Sequence, residues 1–448
     1  MIKKFLLLGL IVTQLTTSCS SDNTESTEVT SENLNDQIAN LIKQPYSKLT
    51  PAEQKVKLEA EANTMLVEMN TSKTSGAIEA IQNLENLLEV RSVDIFDGKF
   101  NNEIENILNV SGVYGIYTWN NTNKIWVKTA SSTELKFVFP AKASSTTNNA
   151  SLSSKAIESN IKVKITDTYG NWVYDPTIED YIQTPSVYDE IFLPTSVDAT
   201  LTIDNAQAAT FVTNAKYTGT KETPDESNFK MVLNDGYAYG ISSKKGDVNS
   251  VESTFTYKEK NLVKFTLGST AKIDALIDDN EALVSYRGKA NGLVELMDNF
   301  VIVADIDIAG LGNDQTALEK TLVEPDYNTS TYYSKINDYN KAYSEAEVLA
   351  NNKNMKLILV SKKDGTKIAD VISRSVKGYS DIYHYEWNAA DKYWSWNDNN
   401  TGMLYQEYDQ VSYLKFNDNT EVEMSAYFST GFDDLEKKFE VFLKSFER

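Results

Sequence analysis

The chain has 448 residues, 41% of them hydrophobic, with one cysteine, one histidine and a formal net charge of -21. The negative charge is spread along the chain rather than gathered in a tail, which argues against a nucleic-acid backbone or an anionic lipid surface as partner. One histidine excludes a two-histidine zinc site and an HExxH helix, and one cysteine excludes an intramolecular disulfide.

Met1 to Ser18 reads as a secretory signal peptide, with Lys3 and Lys4 as its positive start and Phe5 to Leu15 as its apolar stretch. That stretch is shorter than the about 20 apolar residues needed to span a bilayer. The segment Leu15-Thr16-Thr17-Ser18-Cys19 resembles the lipobox of bacterial lipoproteins, with Thr16 where an aliphatic residue is commonest. The resemblance implies cleavage before Cys19 and attachment of lipid to its sulfur, a thiolate being the nucleophile that accepts it. The implied partner is a membrane, reached through this N-terminal lipid. Residues 19–33 follow as a lipidated, disordered tether rich in Ser, Thr and Glu.

Residues 34–110 form a helical segment. Thr50-Pro51-Ala52-Glu53 has a capping-box pattern with proline at the first helical position, and Val56, Leu58, Ala62, Met65, Leu66 and Met69 recur at helical spacing behind it. A second run places Ile78, Ile81, Leu84, Leu87 and Leu88 on one face. In residues 111–275 the period drops to two, as in Leu135 to Phe139, Ile161 to Ile165, Thr200 to Ile203, Phe255 to Tyr257 and Val263 to Leu267. Such alternation, without helical crossovers, predicts an antiparallel meander.

Residues 276–350 read as mainly helical around an ambiguous strand candidate, Val301 to Ile308. Residues 351–448 read as hairpins continuing the same sheet, one of them turning at Asp364-Gly365. An amphipathic helix from about Gly431 closes the chain, with Leu435, Phe439, Phe442, Leu443 and Phe446 on one face. The predicted fold class is therefore α+β: a large curved antiparallel sheet with N-terminal helices, a middle helical segment and a C-terminal helix.

One motif occurs twice. Tyr117-Thr118-Trp119-Asn120 leading to Trp126 is echoed by Tyr385-Glu386-Trp387-Asn388 leading to Trp394, each predicting a hairpin with tryptophans facing across the strands. A duplicated module and convergence on a good hairpin both account for the echo. These segments, the strand Leu135 to Pro140, the run Leu193 to Leu201 and the lipobox look like parts of cell-envelope lipoproteins common in the Bacteroidota. The resemblance implies attachment to the outer membrane and carries no activity over to any residue. Surface export in that lineage goes with an acidic cluster after the cysteine, and here only Asp22 and Glu25 occupy that stretch.

The candidate ligand site is aromatic. Tyr383, Tyr385 and Trp387, with Trp394 and Trp396 on the return strand, share a face by alternation and offer a platform for a sugar ring or another flat apolar ligand. The same pattern serves as the core face of a hairpin, since aromatics form strands well and pack inward. Trp396 to Gly402 offers several oxygen atoms but lacks the closing glutamate of a calcium loop, and reads as an Asx-rich turn. His384 has no nucleophile elbow to serve. No catalytic residue, metal or cofactor is assigned. Three functions stay open: a non-enzymatic envelope lipoprotein for binding or support, a carrier of an apolar ligand between sheet and helices, and a carboxylate-based glycan hydrolase or glycan-binding protein.

Overall fold

The computed structural model describes residues 31–429 apart from 73–74, 91, 94, 96–103, 169 and 273–287. The leader, Cys19, the tether up to residue 30 and the helix expected from Gly431 lie outside the described residues.

The chain opens with α1 (Ser31–Ile42), α2 (Pro51–Ser72), α3 (Gly76–Leu88) and the single turn α4 (Ile104–Ile107). It continues through β1 (Gly115–Asn120), β2 (Ile125–Thr129), β3 (Leu135–Phe139), β4 (Ala150–Thr168), β5 (Trp172–Asp175), β6 (Asp180–Gln183), β7 (Val187–Ile203) and β8 (Ala206–Lys216). Next come β9 (Glu226–Leu233), β10 (Tyr237–Lys244), β11 (Asn249–Tyr257), β12 (Lys260–Ser269), β13 (Lys289–Leu296) and β14 (Phe300–Asp307). Helices α5 (Ile308–Thr321) and α6 (Tyr332–Asn354) precede β15 (Met355–Ser361), β16 (Thr366–Tyr383), β17 (Tyr385–Asn388), β18 (Tyr393–Trp396), β19 (Met403–Lys415), β20 (Glu421–Glu423) and the turn α7 (Met424–Tyr427).

Sixteen strands form one open sheet in the order β2-β1-β3-β4-β7-β8-β9-β10-β11-β12-β13-β14-β15-β16-β19-β20. The α+β class holds, and strands of 111–275 and 351–448 share this sheet. Its one parallel pair among the described residues is β1 with β3. The pairs β5–β6 and β17–β18 stand outside it as two-stranded hairpins.

The helix starts follow from local chemistry. Thr50 Oγ1 accepts from the Glu53 amide at 3.3 Å while Glu53 Oε2 accepts from the Thr50 amide at 2.8 Å, so the capping box closes on the two orphan donors of α2. Ser75 accepts from the Ile78 amide to cap α3. On α2, Leu58, Met65 and Leu66 are buried, whereas Val56 points to solvent. α1 begins at Ser31, inside the stretch read as tether.

Residues 276–350 hold the expected helices, α5 and α6, and the strand candidate Val301 to Ile308 is β14, which forms a full hairpin in the sheet with β13, a strand not expected there. Val301 and Val303 pack with Leu34 and Ile38 of α1, while Phe300 packs with Leu58 of α2. Strand alternation puts these two sets on opposite faces. A strand covered on both faces carries apolar residues at consecutive positions, a pattern that a helix face also satisfies. The hairpin turns on Met297 and Asp298, both at positive φ.

The largest apolar cluster joins α3, through Leu84 and Leu88, to Tyr117, Phe137, Phe139, Leu201, Phe211, Tyr237 and Leu262 on the sheet. Burial of each such side chain contributes roughly 1.5–3 kcal/mol.

From β4 to β19 every neighbouring pair in the sheet is antiparallel, so successive connections alternate between two rims. One rim carries short turns, such as Asp204-Asn205 and Lys258-Glu259, whose residues all adopt positive φ as two-residue hairpin loops require. The other carries the long excursions: the β5–β6 hairpin, helices α5 and α6, and the β17–β18 hairpin.

Candidate ligand-stacking site

Two strand pairs outreach their neighbours at the excursion rim. β15 pairs with β16 only as far as Val371, so the rest of β16 and its partner stretch of β19 form a projecting arm. β8 pairs with β7 only as far as Ser196, so the far parts of β4 and β7 form a second arm. An unpaired strand edge presents bare amides and carbonyls.

On the β16–β19 arm, asparagines of α6 cover those edges. Asn337 donates to the Leu404 carbonyl and accepts from the Gln406 amide, both at 2.8 Å, and Asn340 donates to the Gln406 carbonyl at 2.9 Å. Asn352 makes the same reciprocal pair with Ser373 on the other strand. Where the register slips between Lys377 and Ser380, buried Gln406 donates to the Gly378 and Tyr379 carbonyls and mends the bulge. This bracing holds the N-terminus of α6 against the tip.

There Tyr333, 6% exposed, lies at the centre of the aromatic set. Its ring stacks on Tyr385 at 5.7 Å and meets Trp394 edge-on at 4.9 Å and Tyr383 at 6.0 Å. Tyr383 stacks in turn on Tyr405 at 5.1 Å. Burial, and then the neighbouring Tyr327, push the Tyr333 hydroxyl well above its ordinary range.

The five residues singled out in the sequence come together. Trp387 pairs directly with Trp394 and Tyr385 with Trp396 across β17 and β18. The indole rings of Trp387 and Trp394 meet edge-on at 5.3 Å, and Tyr385 meets Trp396 at 5.5 Å. The site is neither a closed core face nor a bare platform. Trp394 is fixed by its indole N–H donating to the Tyr327 carbonyl at 3.0 Å, while Trp396 is 56% exposed. Sequence alternation missed Tyr327, Tyr332 and Tyr333, which arrive from α6 and the loop before it; only their aromatic type marks them.

The Asx-rich turn behaves as a turn. Asn397 Oδ1 accepts from the Asn399 amide, Asn400 Oδ1 from the Gly402 amide, and Asp398 Oδ1 from the Trp396 indole. Each of these oxygens accepts a hydrogen bond from the polypeptide. His384 lies between β16 and β17 with Nδ1 3.1 Å from the Asn400 carbonyl and its ring against Trp396.

Two hollows open along the helix layer. One, of about 260 Å³, is lined by Lys57, Ala60, Glu61, Thr64, Phe300 and Lys363, and the other, of about 300 Å³, by Ile308, Leu311, Gln315, Glu347 and Gln410, among others. Both mix aliphatic with charged or amide groups.

No family model, curated protein or solved structure matches the chain.

Proposed function

We propose that this chain is a non-enzymatic, lipid-anchored outer-membrane protein that binds a glycan by stacking sugar rings on the β17–β18 hairpin. Cys19 supplies the anchor, and the excursion rim supplies the binding surface. The observation that carries the reading is the half-exposed aromatic set at the end of a braced arm, with Trp396 open to solvent beside amides and carboxylates. A pyranose has an apolar face that stacks on an indole and hydroxyls that pair with such groups.

Binding rather than hydrolysis fits the nearby carboxylates. Glu386 accepts from Asn397 at 2.6 Å and Asp398 from Trp396, so both act as fixed acceptors. Carriage of an apolar ligand finds little support in hollows with charged linings.

Titration of intrinsic tryptophan fluorescence with neutral glucans and mannans tests the reading. A saturable shift that disappears in Trp396→Ala is expected; no shift with any of them rejects sugar binding. The anchor is tested separately: Cys19→Ser is expected to leave the membrane fraction for the soluble one, and retention after a carbonate wash rejects it.

A further inference from the structure

β4 and β16 stand ten places apart in the sheet order, and the unbroken antiparallel alternation between them makes them run in the same direction. Both therefore end at the same rim, and both arms project from it. At the strand spacing of about 4.8 Å, the bases of the two arms are separated by at most about 48 Å measured along the sheet.

The second tip is also aromatic. On β5–β6, Tyr174 pairs with Tyr181, their rings edge-on at 5.4 Å, the same arrangement as the indoles of β17–β18. Trp172 is 66% exposed and Tyr181 61% exposed. Strand alternation puts Trp172, Tyr174 and Tyr181 on one face and Val173 and Ile182 on the other, and all five are exposed. A hairpin built to dock flat on a protein needs one apolar face. Around this one, Asp175, Glu179 and Asp180 crowd the turn, which disfavours insertion into a bilayer and any anionic ligand. Aromatic rings beside acceptor groups, without basic residues at the turn, suit a neutral, hydroxyl-rich ligand.

We infer that the two arm tips grip one ligand together, and that this ligand is a neutral polysaccharide long enough to reach from the β17–β18 hairpin to the β5–β6 hairpin. The inference rests on the sugar-stacking reading of the first tip and adds the second tip and the polymeric nature of the ligand. Linking two weak sites through one chain raises apparent affinity by about 10²–10⁴ without new contacts at either site.

The test compares each neutral glucan and mannan as polymer and as hexasaccharide, on the full soluble body with Cys19→Ser. The polymer is expected to bind about 100-fold more tightly than its hexasaccharide. Trp172→Ala with Tyr181→Ala is expected to remove that gain while hexasaccharide binding at Trp396 persists; Trp396→Ala is expected to remove the gain as well. Both tips lie outside the sixteen-stranded sheet, and unchanged unfolding midpoints confirm that the variants fold. Polymer binding that is insensitive to the β5–β6 substitutions but lost in Trp396→Ala overturns the two-tip inference and leaves single-site sugar binding standing. Absence of binding by polymer and hexasaccharide alike overturns both.

Discussion

The β1–β2 and β17–β18 hairpins have the same local structure and opposite surroundings. In each, an asparagine side chain (Asn120 or Asn388) accepts from two amides of the turn, and a lysine (Lys124 or Lys392) takes positive φ before the return strand. In each, two tryptophans face one another edge-on at 5.3 Å. The first pair is sealed: Trp119 is 4% and Trp126 3% exposed, under α3, with the Trp126 indole N–H donating to the Leu87 carbonyl. The second is open at one end, outside the sheet and held by Tyr333. One motif therefore serves as core in one place and as surface in another, and what lies over it decides which.

The largest difference between the two is in stability. Trp126→Ala leaves a cavity against Phe137 and removes the indole's hydrogen bond to the Leu87 carbonyl, and is expected to cost about 3–5 kcal/mol in denaturant unfolding. Trp396→Ala removes a ring already half in water and is expected to stay within about 0.5 kcal/mol. Equal losses at the two positions mean the hairpins are buried alike and that the open-end reading is wrong.

Tyr333→Ala sharpens the comparison from the other side. Loss of the ring that touches Tyr383, Tyr385 and Trp394 is expected to cost about 2–4 kcal/mol. Hydrogen exchange is expected to accelerate in β17–β18 and leave β1–β2 protected. Uniform acceleration in both hairpins defeats the claim that α6 holds only the second.

The legibility of the molecule follows the same division. Elements whose signal is local were readable: the Thr50 to Glu53 capping box, the alternation in β3 and β12, and the aromatic alternation of β17–β18. Two kinds of feature were not. β13 and β14 are covered on both faces, so burial left Val301 to Ile308 ambiguous between strand and helix and hid β13, and Met297-Asp298 gave no Asn-Gly signal for the turn. Tyr333 joins the aromatic set from a helix some fifty residues earlier in the chain, and the asparagines of α6 brace β16 and β19 by contacts between distant segments. A periodicity reports which face of an element is apolar and is silent on what will cover it.

Alkaline titration probes the surroundings of the β17–β18 hairpin more gently. Tyr333 is raised from its ordinary value of 10.0 chiefly by burial, Tyr405 likewise by burial, and Tyr379 to about 12 by its hydrogen bond to Asp381. Between about 10 and these higher folded values the unfolded chain has released protons that the folded chain still holds. Stability is therefore full below about pH 10 and declines as pH rises above it. Tyr333→Phe, which has no proton to lose, is expected to flatten that decline, read by denaturant unfolding at pH 9 and pH 11. A slope identical to the parent shows that the Tyr333 hydroxyl is not held neutral by its surroundings.

The smallest effect is the one that isolates the shared turn from its surroundings. Lys124 and Lys392 adopt φ of 55 and 53°, a conformation that costs an L-residue about 1–2 kcal/mol relative to glycine. Glycine gives back part of that through the greater entropy of its unfolded chain, about 0.5–1 kcal/mol. Lys124→Gly and Lys392→Gly are thus each expected to stabilise their hairpin by up to about 1.5 kcal/mol, the difference of those two terms. Because the cost is set by backbone geometry, the gain should be the same in both hairpins despite their different burial. Local hydrogen-exchange protection of β1–β2 and β17–β18 in the two variants measures it. A gain confined to one hairpin shows that the turn conformation is imposed by packing at that site, and that the likeness of the two motifs ends at their tryptophans.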